Sequence, residues 1–444
     1  MKLWKILTPV VVCLVLALLI LPGRADAAFS GDCGENLTWT LDDEGTLTIS
    51  GTGPMKDYTF FLQTPWRYSN VKNVVISEGV TSVGDYAFYC CTNIKTVTIP
   101  EGVTTIGECA LYGTAITTVT LPDSVISMDN YALGWCANLT EVKLGNNLAV
   151  IGAYAFDQSD KLESISLPDS ITAVGAYSFY NNESMTYNIF DNARYLGNEN
   201  NPYLVLIDTV GAEEAPSEIH PDTRVIADEA FRQRGPKTIT IPKNVVTIGE
   251  WAFYPCGSLE GIWVDAENMN YSNDDHGALY NKNKTVLIRV PSKMVGSYTI
   301  PHGVTTIEDH AFNDCRMLTD VTIPGSLTSI GVYAFYNCSQ LTDVYYNGTQ
   351  TMWDAITIEK NNDPLLNATL HVLHWLPGDV DGDEKATADD AVYLLLHVMF
   401  GNRYFPVDAD LELDFDGSGA VDTDDALYLL LHVMFGEEDY PLSA

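Results

Sequence analysis

Short alternations of apolar and polar residues recur along most of the chain at a spacing of 22 or 23 positions. One copy, Leu318 to Phe335, shows why each position recurs. Leu318, Val321 and Ile323 alternate inward along a short strand, while Asp320 and Thr322 point to the opposite face. Pro324 ends the strand because it has no N–H for the next rung. Leu327 and Ile330 pack the return path, Gly331 allows a tight bend, and Ala334 with Phe335 fill the interior from the far side. One copy cannot bury these groups alone. Stacked copies can, which predicts a solenoid with a continuous parallel sheet.

Phe88, Leu111, Leu133, Phe156 and Phe179 mark successive copies at intervals of 23, 22, 23 and 23. The phrases VTIPEGVTTIGECALYG, ISLPDSITAVGAYSFYNN, ITIPKNVVTIGEWAFYPC and VTIPGSLTSIGVYAFYNC are versions of one sentence. They resemble the bacterial leucine-rich repeat family often called BspA-like, from Val71 to Asn367. Two interruptions, ARYLGNENNPYLVLIDT and VDAENMNYSNDDHGALYNKNKTVLIRVP, read as added hairpins. Cys33 to Gly53 alternates like a strand-rich cap, and the stretch from Val344 reads as a closing turn. The resemblance implies recognition or adhesion at a bacterial surface, with no catalytic apparatus. Thr96, Thr98, Thr118, Thr120, Ser164, Ser166, Thr238 and Thr240 form the outward ladder of the strands. Outward Trp263 and Tyr345 are better contact candidates, since exposed aromatics stack on sugars or anchor proteins.

The N-terminus adds a compartment. Lys2 and Lys5 precede an apolar run from Ile6 to Leu21, and Ala25-Asp26-Ala27 supplies small residues for cleavage, so residues 1–27 read as a secretory signal peptide. A formal charge of −36 excludes nucleic acid and anionic lipid as partners and leaves calcium as a natural one. Cys91, Cys136, Cys256, Cys315 and Cys338 each follow the marker Phe or Leu by three positions, as small buried residues of a core ladder. Cys315 and Cys338 lie close enough in the stack to bridge if oxidised.

After Pro377-Gly378 the period changes to 35: DVDGDEKATADDAVYLLLHVMFG from Asp379 is answered by DFDGSGAVDTDDALYLLLHVMFG from Asp414. Each copy opens with a twelve-residue calcium-loop pattern, which offers oxygens from positions 1, 3, 5, 7, 9 and 12. The first set is Asp379, Asp381, Asp383, Lys385 through its carbonyl, Thr387 through water, and Asp390; the second is Asp414, Asp416, Ser418, Ala420 through its carbonyl, Asp422 and Asp425. Two calcium ions are expected. Glu384 stands where the first turn favours glycine, whereas the second loop has Gly419, so the first site is expected to be the weaker. Loop then helix, with no leading helix, resembles the type I dockerin family. The resemblance implies that calcium folds the module and that it binds a cohesin domain of a scaffolding protein. The cohesin-facing residues it implies are Ala388, Asp389, Leu395 and Leu396, then Thr423, Asp424, Leu430 and Leu431. Apart from the name, helices this apolar on every side call for a protein partner.

The expected fold class is therefore an α/β-type leucine-rich repeat solenoid, mostly β and irregular, followed by a small all-α calcium-binding dockerin. Its expected divisions are a signal peptide at 1–27, an N-terminal cap at 28–70, the solenoid with its two insertions at 71–375, and the dockerin at 377–444. No HExxH, GxSxG or phosphate-loop pattern occurs in a suitable context. Two functions from different classes follow. One is a secreted, non-catalytic recognition or adhesion protein tethered to a scaffoldin or cell-surface complex, with a glycan or matrix protein on its repeats. The other is a glycan-processing enzyme of a cellulosome-like complex, with its catalytic residues in the insertions between Asn188 and Glu218 or Asp265 and Pro291.

Overall fold

The structure, a computed structural model, describes residues 30–59, 64–210, 218–232, 236–254, 256–348, 350–372, 378, 380, 386–400, 413–416, 420–436, 440 and 442. The expected signal peptide lies outside them. The chain divides into two compact units, Met1–Cys256 and Gly257–Ala444.

In the first unit the strands Ser30–Gly34, Leu37–Leu41 and Thr46–Gly51 pair antiparallel, and the last of them continues in parallel to Asn73–Ile76 and Thr96–Thr98. This is the strand-rich cap. Trp39 and Trp66 pack edge to face inside it with centroids 5.8 Å apart, and Trp66 stacks on Phe88, which joins cap to repeats through core. Each following coil contributes inward Val, Ile and Leu at the expected positions, and the 23-residue period keeps them in register: Glu141, Val142 and Lys143 pair with Thr118, Val119 and Thr120.

The return path differs from expectation. It carries a second parallel sheet of short strands, ordered Ala173–Val174, Val150–Ile151, Ser127–Met128, Thr105–Ile106, Val80–Val83 and Gly53–Pro54. A two-residue Thr-Ile or Ser-Met step carries too little alternation to mark a strand. In the copy around Ser164 and Ser166, by contrast, no strand forms on the outward face, although both side chains are exposed.

Gly331 is needed for a different reason than a bend. A Cβ there would meet Asp309 Oδ1 at 2.2 Å, and one at Gly107 would meet Asp85 Oδ1 at 2.5 Å. The glycine clears the neighbouring coil. The left-handed turn falls two residues later on tyrosines: Tyr86, Tyr131, Tyr154, Tyr177 and Tyr333 have φ between 55° and 58°. That conformation costs roughly 1 kcal/mol per residue. Stacking offsets it, with Tyr131 on Tyr154 at 4.7 Å and Tyr154 on Tyr177 at 5.0 Å. Backbone bonds to the next coil, such as Tyr131 N–H to Ala153 O at 2.8 Å, add to this.

The in-register cysteines are buried free thiols, Cys315 and Cys338 among them, so the expected possibility of a bridge is not realised. Three of their S–H groups donate to the carbonyl of the marker residue one coil earlier, Cys136 to Leu111 O at 3.3 Å, Cys256 to Phe231 O at 3.5 Å and Cys338 to Phe312 O at 3.2 Å, while Cys315 donates to Pro291 O at 3.5 Å. Burial pushes the Cys91 and Cys315 thiols up to about 12, which suppresses the reactive thiolate.

The second unit repeats the design. Met317–Pro324 lies between Val295–Thr299 and Asp343–Asn347, all parallel, and its Leu318, Val321 and Ile323 are buried as expected. Pro324 ends the strand, as expected. The closing segment contains two short helices, α1 (Gln350–Ala355) and α2 (Asp363–Asn367), around the strand Thr357–Ile358, and Thr369–Val372 completes the sheet. Both interruptions form antiparallel hairpins, Ala193–Leu196 with Val205–Thr209 in the first unit and Leu279–Asn281 with Val286–Arg289 in the second.

Candidate functional site

The duplicated C-terminal segment folds into two helices, α3 (Ala388–Phe400) and α4 (Thr423–Phe435). Each begins on an acid that closes the loop before it. Asp425 is fully buried; its Oδ1 accepts from Asp416 N–H at 3.2 Å and its Oδ2 from Asp422 N–H at 2.7 Å. Asp422 returns the bond, its side chain accepting from Asp425 N–H and also from Asp424 N–H at 2.8 Å, so the helix starts on a reciprocal capping box. Asp390 does the same work in the first copy, accepting from Val380 N–H and Thr387 N–H at 2.7 Å each.

Carboxylate oxygens of Asp414, Asp416 and Asp425 all lie within 4.8 Å of one another. Such proximity raises mutual repulsion. Oxygen ligands at about 2.3–2.6 Å from one hard cation stand at most about 5 Å apart, so the three acids match the spacing that a divalent ion bridges. Asp379, Asp381, Asp383, Lys385 and Ser418, together with Glu384 and Gly419, lie outside the described residues. Ala420 and Asp422 are exposed beside the acidic group, and Thr387 is half-buried.

The helices spend one stripe on a shared core. Ala391 and Leu394 meet Ala426, Leu429, Val380, Leu413 and Phe415, with Leu395 and Leu430 packed at the edge. A second stripe stays in solvent. Val392, Met399 and Phe400 are more than half exposed, as are Leu427, Met434 and Phe435. With Leu396 or Leu431 these fall at i, i+4, i+7 and i+8, one face of each helix. Ala388, Asp389, Thr423 and Asp424 are exposed at the helix starts. Of the eight residues singled out in the sequence, six are therefore accessible or on the solvent stripe, while Leu395 and Leu430 serve the internal core. Val392, Met399 and Phe400 with their copies, exposed on the same face, were legible as repeated large apolar residues 35 positions apart.

On the repeats, Thr96, Thr98, Thr118, Thr120, Thr238 and Thr240 are exposed along their strands. Trp263 is 40% exposed. Tyr345 is half-buried and stacked on His371 at 4.7 Å, so its face is already used. No helix among the described residues is long and apolar enough to cross a membrane.

No curated protein matches the chain. Among solved structures, a leucine-rich cell surface protein from Faecalibacterium prausnitzii is 24% identical over 75% of this chain and 99% of its own, with a TM-score of 0.33. A leucine-rich repeat protein from Eubacterium ventriosum is 21% identical over 81% and 88%, with a TM-score of 0.28. The pneumococcal vaccine antigen PcpA is 20% identical over 71% and 70%, with a TM-score of 0.30. The model of the BspA type leucine rich repeat region matches in six copies, over residues 63–186, 217–297 and 292–355, more than half of the chain. The buried Val, Ile and Phe ladders give those copies their physical meaning, and the chain belongs to the BspA-type leucine-rich repeat family.

Proposed function

We propose that the chain is a secreted, non-catalytic recognition and adhesion protein whose repeats carry the binding surface and whose C-terminal module clips it to a scaffolding protein through a cohesin domain. The observation that carries this reading is the duplicated loop and helix: two buried acids close two loops, and two equivalent apolar stripes, differing only as Val392 and Leu427, remain in solvent. An apolar stripe repeated on both helices is what a protein partner covers. Near-identity of the copies offers that partner two orientations related by an approximate twofold axis.

Two calcium ions complete the module in this reading. Asp414, Asp416, Ser418, the Ala420 carbonyl, Asp422 and Asp425 hold the second. Asp379, Asp381, Asp383, the Lys385 carbonyl, Thr387 through water and Asp390 hold the first. The ion neutralises gathered carboxylates and couples loop closure to the start of each helix. Circular dichroism of the full chain with calcium and with chelator tests this, beside titration of a cohesin panel. Calcium raises helix content and brings on cohesin binding, and Asp425→Asn weakens calcium affinity of the second loop by about tenfold or more. Helix content indifferent to calcium, with no cohesin bound, sinks the proposal. Sugar released from plant or host glycans would replace the recognition reading by the enzymatic one.

A further inference from the structure

The first interruption leaves an opening in the stack of the first unit. In ordinary coils three backbone bonds tie each turn to the next, as Tyr154 N–H to Ala176 O, Phe156 N–H to Ser178 O and Gln158 N–H to Tyr180 O do. Beyond Tyr177 the next turn, around Glu229, keeps the ordinary return-path bond, Asp228 N–H to Val174 O at 3.0 Å, the counterpart of Gly175 N–H to Ile151 O, but among the described residues the bonds from Tyr177 and Phe179 N–H to that turn are missing. Between the two turns opens a cavity of about 220 Å³, floored by Ile207 and Asp208 of the inserted hairpin and walled by Tyr177, Tyr180, Glu229 and Arg232.

Its chemistry is specific. Arg194 grips Asp208 through two nitrogens, and its guanidinium lies 4.6 Å over the Tyr187 ring. Arg232 pairs with Glu229 at 2.6 Å and lies 5.0 Å over Tyr177, ending the tyrosine stack. Asp228 is fixed by Glu250 N–H at 3.0 Å. Tyr180 stands edge-on to Tyr177 and is 47% exposed. One two-pronged pair, Arg194–Asp208, and one single-bonded pair, Arg232–Glu229, each backed by a tyrosine ring, line one ring-sized space. Two guanidiniums against three carboxylates leave little net charge there, which disfavours a strongly charged ligand. Five charged side chains disfavour an apolar one. Neighbouring hydroxyls of a sugar satisfy such pairs, and its C–H face suits a tyrosine ring.

We propose that this cavity binds a single neutral pyranose unit, with the Arg194–Asp208 fork and the Arg232–Glu229 pair on its hydroxyls and Tyr180 against its ring. The volume, below that of a drug-sized site, fits one ring rather than a chain segment. Burial and the adjacent Asp228 push the Glu229 carboxyl up to about 7, so near neutrality it can donate as well as accept. The inference deepens the recognition reading and rests on it.

The test is saturation-transfer NMR and calorimetry of the full chain with methyl glycosides of glucose, galactose, mannose and xylose. At least one binds, and Tyr180→Ala and Asp208→Asn each weaken it by about tenfold, because stacking or a fork is lost. Tyr180 is exposed enough for its truncation to leave the thermal midpoint unchanged, which separates lost contact from lost fold. No transfer from any of the four, affinity untouched by both substitutions, or preferential binding of benzoate or putrescine overturns the inference. Cleavage of a bound glycoside overturns it in favour of catalysis. Cohesin docking that persists while no glycoside binds means that this site alone has been misread.

Discussion

The two interruptions enter their stacks at the same register and resolve the break in opposite ways. Val205 and Leu206 pair in parallel with Val225 and Ile226; Val286 and Leu287 pair in parallel with Thr306 and Ile307. Three residues after the first member of each pair stands Asp208 in one case and Arg289 in the other. Across the hairpin, Asp208 faces Arg194, whereas Arg289 faces Leu279. The difference sets everything that follows. Asp208 finds its cation within the hairpin, and the pair stays about one-third exposed. Arg289 has an apolar neighbour there, is 4% exposed, and turns its donors onto the carbonyls of the next turn, His310 O and Asn313 O, the latter at 3.1 Å. Val290 N–H supplies the ordinary backbone bond to Ala311 O. A guanidinium thus stands in for backbone donors that the shortened turn lacks, and the break is plugged.

The largest expected effect comes from forcing the closed interruption into the chemistry of the open one. Arg289→Asp strands two buried carbonyls and adds a buried acid opposite Leu279. Each unsatisfied buried group costs about 1–3 kcal/mol, and the unpaired charge adds to that, so a loss of about 4 kcal/mol or more is expected. Adding Leu279→Arg rebuilds the cross-strand pair of the first hairpin and restores part of the loss. Denaturant midpoints of the wild type, the single and the double variant measure it. A double variant no more stable than the single would show that cross-strand pairing does not govern the choice.

Why the sequence disclosed one level of this and not the other follows from the same residues. Phe88 to Phe179 fixed the coil because a buried ladder repeats its own spacing. ARYLGNENNPYLVLIDT fixed a hairpin because a Gly and Asn-rich tip separates two alternating runs. Arg289 and Asp208 gave no signal, since one charged residue in a strand reads as an outward position until its cross-strand neighbour is known. The tyrosine turns were hidden for a related reason. A left-handed residue is expected to be Gly, and only stacking between coils, a tertiary effect, pays for tyrosine there. In the C-terminal module the duplication made the loops and helices legible. Which apolar stripe faces outward depended on how α3 and α4 pack together.

Opening the first interruption further should cost less. Arg194→Ala removes a two-pronged pair and a cation–ring contact, but both charged side chains are about one-third exposed and water can replace the lost partner. The expected loss is about 1–1.5 kcal/mol, well below that of any change at Arg289. Thermal denaturation of Arg194→Ala beside Arg289→Met ranks the two. Equal losses would mean that burial, and not the pairing scheme, had been misjudged.

The finest distinction is in the sign of the pH response. Glu229, pushed up to about 7 from 4.5 by burial and then by Asp228, holds its proton in the folded state where the unfolded chain has released it. Its contribution is full below about 4.5 and is lost as pH rises through about 7. His310 is lowered from 6.5, first by burial and then by Arg289, so it resists the proton that the unfolded chain takes up. Its contribution is full above about 6.5 and is lost as pH falls through its depressed value. Between pH 5 and 7.5, hydrogen exchange corrected for the intrinsic rate should therefore loosen residues 225–232 and tighten residues 306–315 as pH rises. Glu229→Gln flattens the first trend and Arg289→Met weakens the second, since removing the guanidinium relieves part of the pressure on the imidazole. Parallel trends in the two segments would refute the claim that one interruption is organised around carboxylates and the other around a buried cation.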